Sequence, residues 1–274
     1  MRLLTALVSG AIWAAGALAH AAPAVAPARV DIPHAGGVLH GLLYKPDGNG
    51  PFQAVIALHG CHGLIGRSGQ ILPLYQDWAE HLLKAGNAVL FPDSYGSRNL
   101  GPQCHEKSHR TLMRRERVRD IEATRHWLVA QPWVSAHHVG LLGWANGASA
   151  LLWAVRPQLA SSGASPDFRS AVALYPDCRL SSRLGWSARV PTLLLIGGKD
   201  GLNSPAVCRQ MIDDARGRSA LARIVVYPGA DHDFDATGVV MHVAGALKGA
   251  GPRFHADPKA RTDALKRVAE WLAR

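Results

Sequence analysis

Beyond the N-terminus, no run of apolar residues approaches the ~20 that a transmembrane helix requires, so the bulk of this 274-residue chain holds no candidate membrane-spanning helix. It also lacks low-complexity linkers, internal repeats and abrupt shifts of composition, which argues against a string of small modules. Cysteine is scarce, at four residues. The spacing matches no familiar zinc motif, although Cys61-His62 and Cys104-His105 together offer two thiolates and two imidazoles as an alternative metal set. The formal charge of +10 admits an anionic partner. Yet no aromatic residue is interleaved with the arginines of the stretch Arg110 to Arg125, which weakens any case for single-strand binding. There Arg114, Arg115, Arg117 and Arg119 alternate with Glu116, Asp120 and Glu122, the pattern of a solvated, ion-paired helix face, and no nucleic-acid partner is expected.

What is present begins with an export signal. Arg2 supplies the positive start, Leu3 to Leu18 an apolar run broken by Ser9, Gly10 and Gly16, and Ala17-Leu18-Ala19 or Ala19-His20-Ala21 a small-x-small cleavage site. Residues 1–21 are therefore expected to be a secretory signal, with a membrane anchor as the alternative, and residues 22–274 a single exported domain, periplasmic or secreted. An oxidising compartment changes the meaning of four cysteines, because an even count can pair. Three pairings are possible. Cys61 with Cys104 and Cys178 with Cys208 are favoured because each joins segments that the expected fold places side by side, and closing either loop contributes about 3.5 to 4 kcal/mol in the chain-entropy model.

Short apolar, β-branched runs alternate with longer amphipathic ones. Val38 to Tyr44, Ala54 to His59, Ala88 to Phe91, Val139 to Gly143, Ser170 to Tyr175, Thr192 to Ile196 and Arg223 to Tyr227 read as strands. Leu72 to Ala85, Arg110 to Ala130, Asn146 to Val155, Pro205 to Arg216 and Lys259 to Ala273 read as helices. That alternation predicts an α/β fold with a mostly parallel central sheet and helices on both faces. Chemistry in such sheets lies beyond the carboxyl ends of the strands.

The segment Gly143-Trp144-Ala145-Asn146-Gly147 joins a strand to a helix and has the small flanking residues that a nucleophile elbow needs. Its central residue is alanine, which offers a methyl group and no nucleophile. Ser149 and Ser68 are poor substitutes. Ser149 lies one turn along the helix, where its hydroxyl suits the preceding carbonyl, and Ser68 lacks the strand before it. Downstream, Asp200 follows one buried strand and His232 the next, in the order nucleophile position, acid, histidine. His232 would be the general base, and Asp200 would hold its tautomer. Asp231, Asp233 and Asp235 are rivals for that second place. The Gly-rich loop Leu58-His59-Gly60-Cys61-His62-Gly63 can turn backbone N–H groups toward a developing oxyanion, with the N–H groups of Cys61 and Asn146 as the expected pair. His59 and His62 are read as packed, hydrogen-bonded residues.

Together these segments resemble the exported branch of the dienelactone hydrolase family. The resemblance rests on His-Gly-Cys-x-Gly after a strand, Pro92-Asp-Ser-Tyr-Gly-Ser-Arg98 leading to a Cys, the Gly-Trp-x-Asn-Gly elbow, Tyr175-Pro-Asp-Cys178 and Tyr227-Pro-Gly-Ala-Asp-His232-Asp-Phe-Asp, and covers roughly Ala54 to Asp235. It implies the α/β-hydrolase fold and hydrolysis of a small carboxylic ester or lactone through an acyl-enzyme, without metal or organic cofactor. It also implies the two disulfides just named. Ala145 is the departure, since the family has Ser or Cys there. The chain is thus expected to be a hydrolase scaffold disabled at its nucleophile, or a binding protein that uses the same crevice.

Overall fold

The computed structural model describes residues 25–104, 113–157, 166–217, 219, 221–237, 239–241 and 253–274. The expected export signal, His105, the first residues of the helix expected from Arg110 and much of the loop between Val239 and Phe254 lie outside that set. Eight strands form one sheet in the order β1-β2-β4-β3-β5-β6-β7-β8. They are β1 (Ala28–His34), β2 (Gly37–Tyr44), β3 (Phe52–Leu58), β4 (Asn87–Pro92), β5 (Val134–Trp144), β6 (Ala171–Leu174), β7 (Thr192–Gly197) and β8 (Ala222–Tyr227). β1 and β2 pair antiparallel, as do β2 and β4, and every later pairing is parallel. Burial explains the difference. Every residue of β4, β6 and β7 is buried, as a parallel strand covered on both faces must be, whereas β2 alternates toward its start.

Among the described residues six α-helices accompany the sheet: α1 (Pro73–Lys84), α2 (Glu116–Val129), α3 (Asn146–Ala154), α4 (Arg179–Arg183), α5 (Pro205–Ala215) and α6 (Pro258–Leu272). α1, α5 and α6 each start with proline in the first turn, where its missing N–H is not needed by the helix. Ser204 caps α5 by accepting from the Val207 N–H, and Asp257 caps α6 through the N–H groups of Lys259 and Ala260. Two further strands, β9 (Val239–Met241) and β10 (Arg253–His255), pair with each other away from the main sheet. Among the described residues no helix is long and apolar enough to cross a membrane.

Two expectations need correction. β1 was not anticipated, because its exposed edge position gives it little apolar pattern; only Ile32 on it is fully buried, opposite Leu39 in the register. The arginine stretch is not a solvated face throughout. Arg114, Arg115 and Arg119 are exposed, but Arg117, Asp120 and Arg125 are buried among Val118, Ile121, Thr124 and Leu128 on the inner side of α2. Arg98 meets Asp120 with two hydrogen bonds of 2.9 and 2.8 Å, a bidentate pairing whose geometry suits a buried carboxylate. This pairing ties α2 to the loop after β4.

Candidate active site

The sharpest feature is the junction of β5 and α3. Ala145 has φ 47° and ψ −108°, a combination in which an L side chain is strained. The glycines on either side are required by contact rather than flexibility. A Cβ on Gly147 would lie 2.0 Å from the Leu58 carbonyl oxygen, and one on Gly143 would lie 2.8 Å from the Ala148 nitrogen. The N–H of Ala145 donates to the Leu174 carbonyl at 3.0 Å, and its carbonyl accepts from the Ser149 N–H at 2.9 Å. The Ser149 hydroxyl donates to that same carbonyl at 2.9 Å and accepts from the Asp177 N–H. Ser149 is thus engaged in structure behind the elbow, not presented at its tip.

The loop after β3 faces this elbow. A Cβ on Gly60 would stand 3.6 Å from that of Ala145, the Gly60 N–H donates to the Tyr75 hydroxyl at 2.7 Å, and the Cys61 carbonyl accepts from the Gln103 N–H at 2.7 Å. A disulfide joins Cys61 to Cys104, and another joins Cys178 to Cys208. The donor atoms of Cys61, His62 and Cys104 lie within 4.8 Å of one another, but with the two sulfurs bonded together the thiolates of the alternative metal set do not exist. Asn146, the first residue of α3, has no intrahelical acceptor for its N–H, and its side-chain oxygen accepts from the Tyr95 hydroxyl at 3.0 Å and from Arg117 Nη1 at 2.7 Å.

Asp200 and His232 meet. His232 Nδ1 lies 2.8 Å from Asp200 Oδ2, while Asp200 Oδ1 accepts from the N–H groups of Leu202 and Asn203 at 2.9 and 2.8 Å. Since Asp200 can only accept when ionised, Nδ1 carries the proton and Nε2 is the basic nitrogen. Asp233 Oδ1 is 3.8 Å from that Nε2. Burial pushes the imidazolium down, but the hydrogen bond to Asp200 and the charges of Asp233, Asp200 and Asp235 outweigh it, and the His232 pKa ends above its ordinary value. The Tyr175 ring packs 4.5 Å from the His232 ring, and Tyr175 follows the strand whose Leu174 carbonyl holds Ala145.

Beneath these residues lies Asp235, fully buried. It accepts hydrogen bonds from Trp78 Nε1 at 2.7 Å, Trp144 Nε1 at 3.0 Å and the Tyr175 hydroxyl at 2.8 Å. One carboxylate therefore ties together the residue before Ala145, the ring beside His232 and the loop that carries His232. Burial raises its pKa to about 6 against the pull of the three donors. Sequence reasoning considered Asp235 only as a rival partner for His232, because donors 157, 91 and 60 residues away leave no local signal. His59 is fully buried, its Nδ1 2.9 Å from the Gly60 carbonyl oxygen. Burial and the Arg117 charge hold its pKa well below the usual value, so it is a neutral, packed residue.

A model of the dienelactone hydrolase family matches residues 39–274. No curated protein matches the chain. The structure is similar to a dienelactone hydrolase from Anabaena variabilis at 22% identity, covering 91% of this chain and 98% of that one with a TM-score of 0.63. It is also similar to P91, a dienelactone hydrolase-like promiscuous phosphotriesterase from metagenomic libraries, at 18% identity over 90% and 97% of the two chains with a TM-score of 0.68. Esterase 2 of Thermogutta terrifontis, solved after phosphoramylation by tabun, matches at 17% identity over 92% and 96% with a TM-score of 0.63. At such identities these likenesses establish the fold, the mostly parallel sheet and flanking helices of an α/β-hydrolase. With the family model running from within β2 through the elbow and the loops of both Asp200 and His232 to the end of the chain, the chain belongs to the dienelactone hydrolase family.

Proposed function

We propose that this chain is an exported carboxylic ester or lactone hydrolase scaffold in which Ala145 occupies the nucleophile position. In that reading His232 is the base, Asp200 its orienting acid, and the N–H groups of Cys61 and Asn146 the oxyanion donors. The observation that carries it is the backbone of Ala145 at φ 47° and ψ −108°. An alanine gains nothing from that conformation, but it is the turn that presents a nucleophile to a crevice; the strand end that holds the Ala145 N–H continues into Tyr175, whose ring packs on a histidine already aligned by a carboxylate.

With a serine at that position, His232 Nε2 would take the hydroxyl proton as Oγ attacks the carbonyl carbon. The carbonyl oxygen would become an oxyanion facing the two amides, and the proton would pass to the departing alkoxide. Water would then repeat the sequence to release the acid. With Ala145 no acyl-enzyme forms. Loss of a triad nucleophile costs on the order of 10⁶ in kcat, while oxyanion hole and pocket retain roughly 10³ to 10⁴ over the uncatalysed rate. The chain should bind esters and scarcely turn them over. Export is supported by the N-terminal pattern of residues 1–21 and by the two disulfides.

The test is hydrolysis of phenyl acetate by the mature protein and by Ala145→Ser. A gain of several orders of magnitude in the serine form is expected. A folded serine variant with no gain overturns the latent triad, and the absence of a nucleophile then favours the second reading, a non-catalytic protein that binds a small carbonyl compound in the same crevice.

A further inference from the structure

Arg117 is fully buried on the inner face of α2. Its Nη1 donates to Asn146 Oδ1 at 2.7 Å, and its guanidinium carbon sits 5.4 Å from the centre of the Tyr95 ring. Its Nε and Nη2 are buried with no hydrogen-bond partner among the described residues. It makes no ion pair with a carboxylate among the described residues. Asp93, whose charge it feels, accepts instead from the Gly96 N–H at 2.8 Å. Removing a guanidinium from water without a paired anion is expensive, and a merely structural link to an amide oxygen does not need a charge. Tyr95 already supplies a neutral donor to the same Asn146 oxygen at 3.0 Å. A buried cation one hydrogen bond from Asn146, the residue after the centre of the elbow, suits negative charge that appears when the site is in use.

We propose that Arg117 is a positioning residue for the oxyanion hole: it clamps the Asn146 side chain, aims the elbow amide at the reacting oxygen, and supplies the buried positive charge that favours a tetrahedral anion over a planar ester. Arg117 acts through Asn146 and by its field, not by touching the substrate. The same charge works with burial to hold the His59 pKa well below its ordinary value. This deepens the hydrolase reading and rests on it for the identity of the anion.

The experiment measures binding of two ligands of the same outline to the chain as it stands, with Ala145: the methyl phenylphosphonate monoanion, tetrahedral and charged, and methyl benzoate, planar and neutral. Arg117→Met should weaken the phosphonate by about 10-fold or more, below the ~10² to 10³ in rate of a direct oxyanion donor, and change methyl benzoate by less than about 2-fold. Arg117→Lys should restore most of the phosphonate affinity, and Tyr95→Phe should leave the preference for the anion intact. Parallel loss of both ligands, no loss of either, or no phosphonate binding by the folded parent overturns the inference. If Arg117→Met does not fold, Arg117→Gln, which keeps an N–H donor for Asn146 but no charge, decides: selective loss of the phosphonate supports the inference, and an equal change in both ligands overturns it. Arg117-dependent phosphonate binding alongside an inert Ala145→Ser variant would sink the hydrolase reading and leave the anion site standing. Hydrolysis by Ala145→Ser together with indifference to Arg117 would do the reverse.

Discussion

At the scale of single residues, the dyad of His232 and Asp200 makes the most direct demands on experiment. A general base works only when neutral, so a raised His232 pKa moves the acid limb of kcat/KM upward. In Ala145→Ser that limb should lie above the ordinary histidine value of about 6.5. Asp233 stands 3.8 Å from Nε2 and adds to the shift without orienting the ring, so Asp233→Asn should lower the limb while kcat stays near that of the parent. Asp200→Asn should behave differently. It permits the wrong tautomer and should cost on the order of 10⁴ in kcat. A pH-rate series on the three variants checks both statements, and equal losses from the two substitutions would contradict the assignment of Asp200 as partner.

At the scale of elements, the elbow depends on what packs around it. Gly147 lets α3 begin against the end of β3, and Arg98, Asp120 and the Cys61–Cys104 disulfide hold the loop after β4 to α2 and to the loop after β3. The two disulfides should therefore separate in their effects. Cys178 and Cys208 are buried and link the start of α4 to α5, and neither belongs to the loop after β3. Replacing both by alanine should cost about 2 to 5 kcal/mol, a fall in Tm of roughly 5 to 20 °C for a chain of this size, with kcat of the Ala145→Ser form little changed. Replacing Cys61 and Cys104 should also lower Tm, but it should reduce kcat as well, because Cys61 sits in the loop that faces Ala145. Thermal scans paired with rate measurements distinguish the two.

At the scale of the whole molecule, the buried groups that join the site to the core set a pH dependence of stability. Asp235 has a folded pKa near 6, above its unfolded value. Its contribution is thus fully present below the unfolded pKa and is lost as pH rises through about 6, when the carboxyl must ionise in place. A shift of about two units corresponds to at most ~3 kcal/mol. His232, also raised, acts in the same sense and loses its contribution as pH rises through its folded value. The measurement is the parent's Tm between pH 4 and 8 relative to Asp235→Asn, whose side chain can still accept from the tryptophans. The parent should lose stability relative to the variant as pH rises. A constant difference would show that Asp235 titrates no differently in the folded chain.

How much of this was legible beforehand depends on the range of each interaction. Short apolar, β-branched runs marked seven of the eight sheet strands, and their alternation with amphipathic helical segments predicted a sheet covered on both faces. β1 was missed because an edge strand buries almost nothing. Gly143, Ala145 and Gly147 showed the elbow, since its sharpness imposes small residues locally, and the order of Asp200 and His232 after successive strands named the candidate dyad. The sequence by itself thus determined the layered fold, the alanine at the centre of the elbow and the candidate acid and base, because each depends on neighbours in the chain. Only the tertiary structure decided which arginines of α2 are buried, that Arg117 reaches Asn146, and that Asp235 gathers Trp78, Trp144 and Tyr175. Those contacts join residues from 29 to 157 positions apart, and charge patterning along a helix does not say which face meets the sheet once polar residues occupy the inner side.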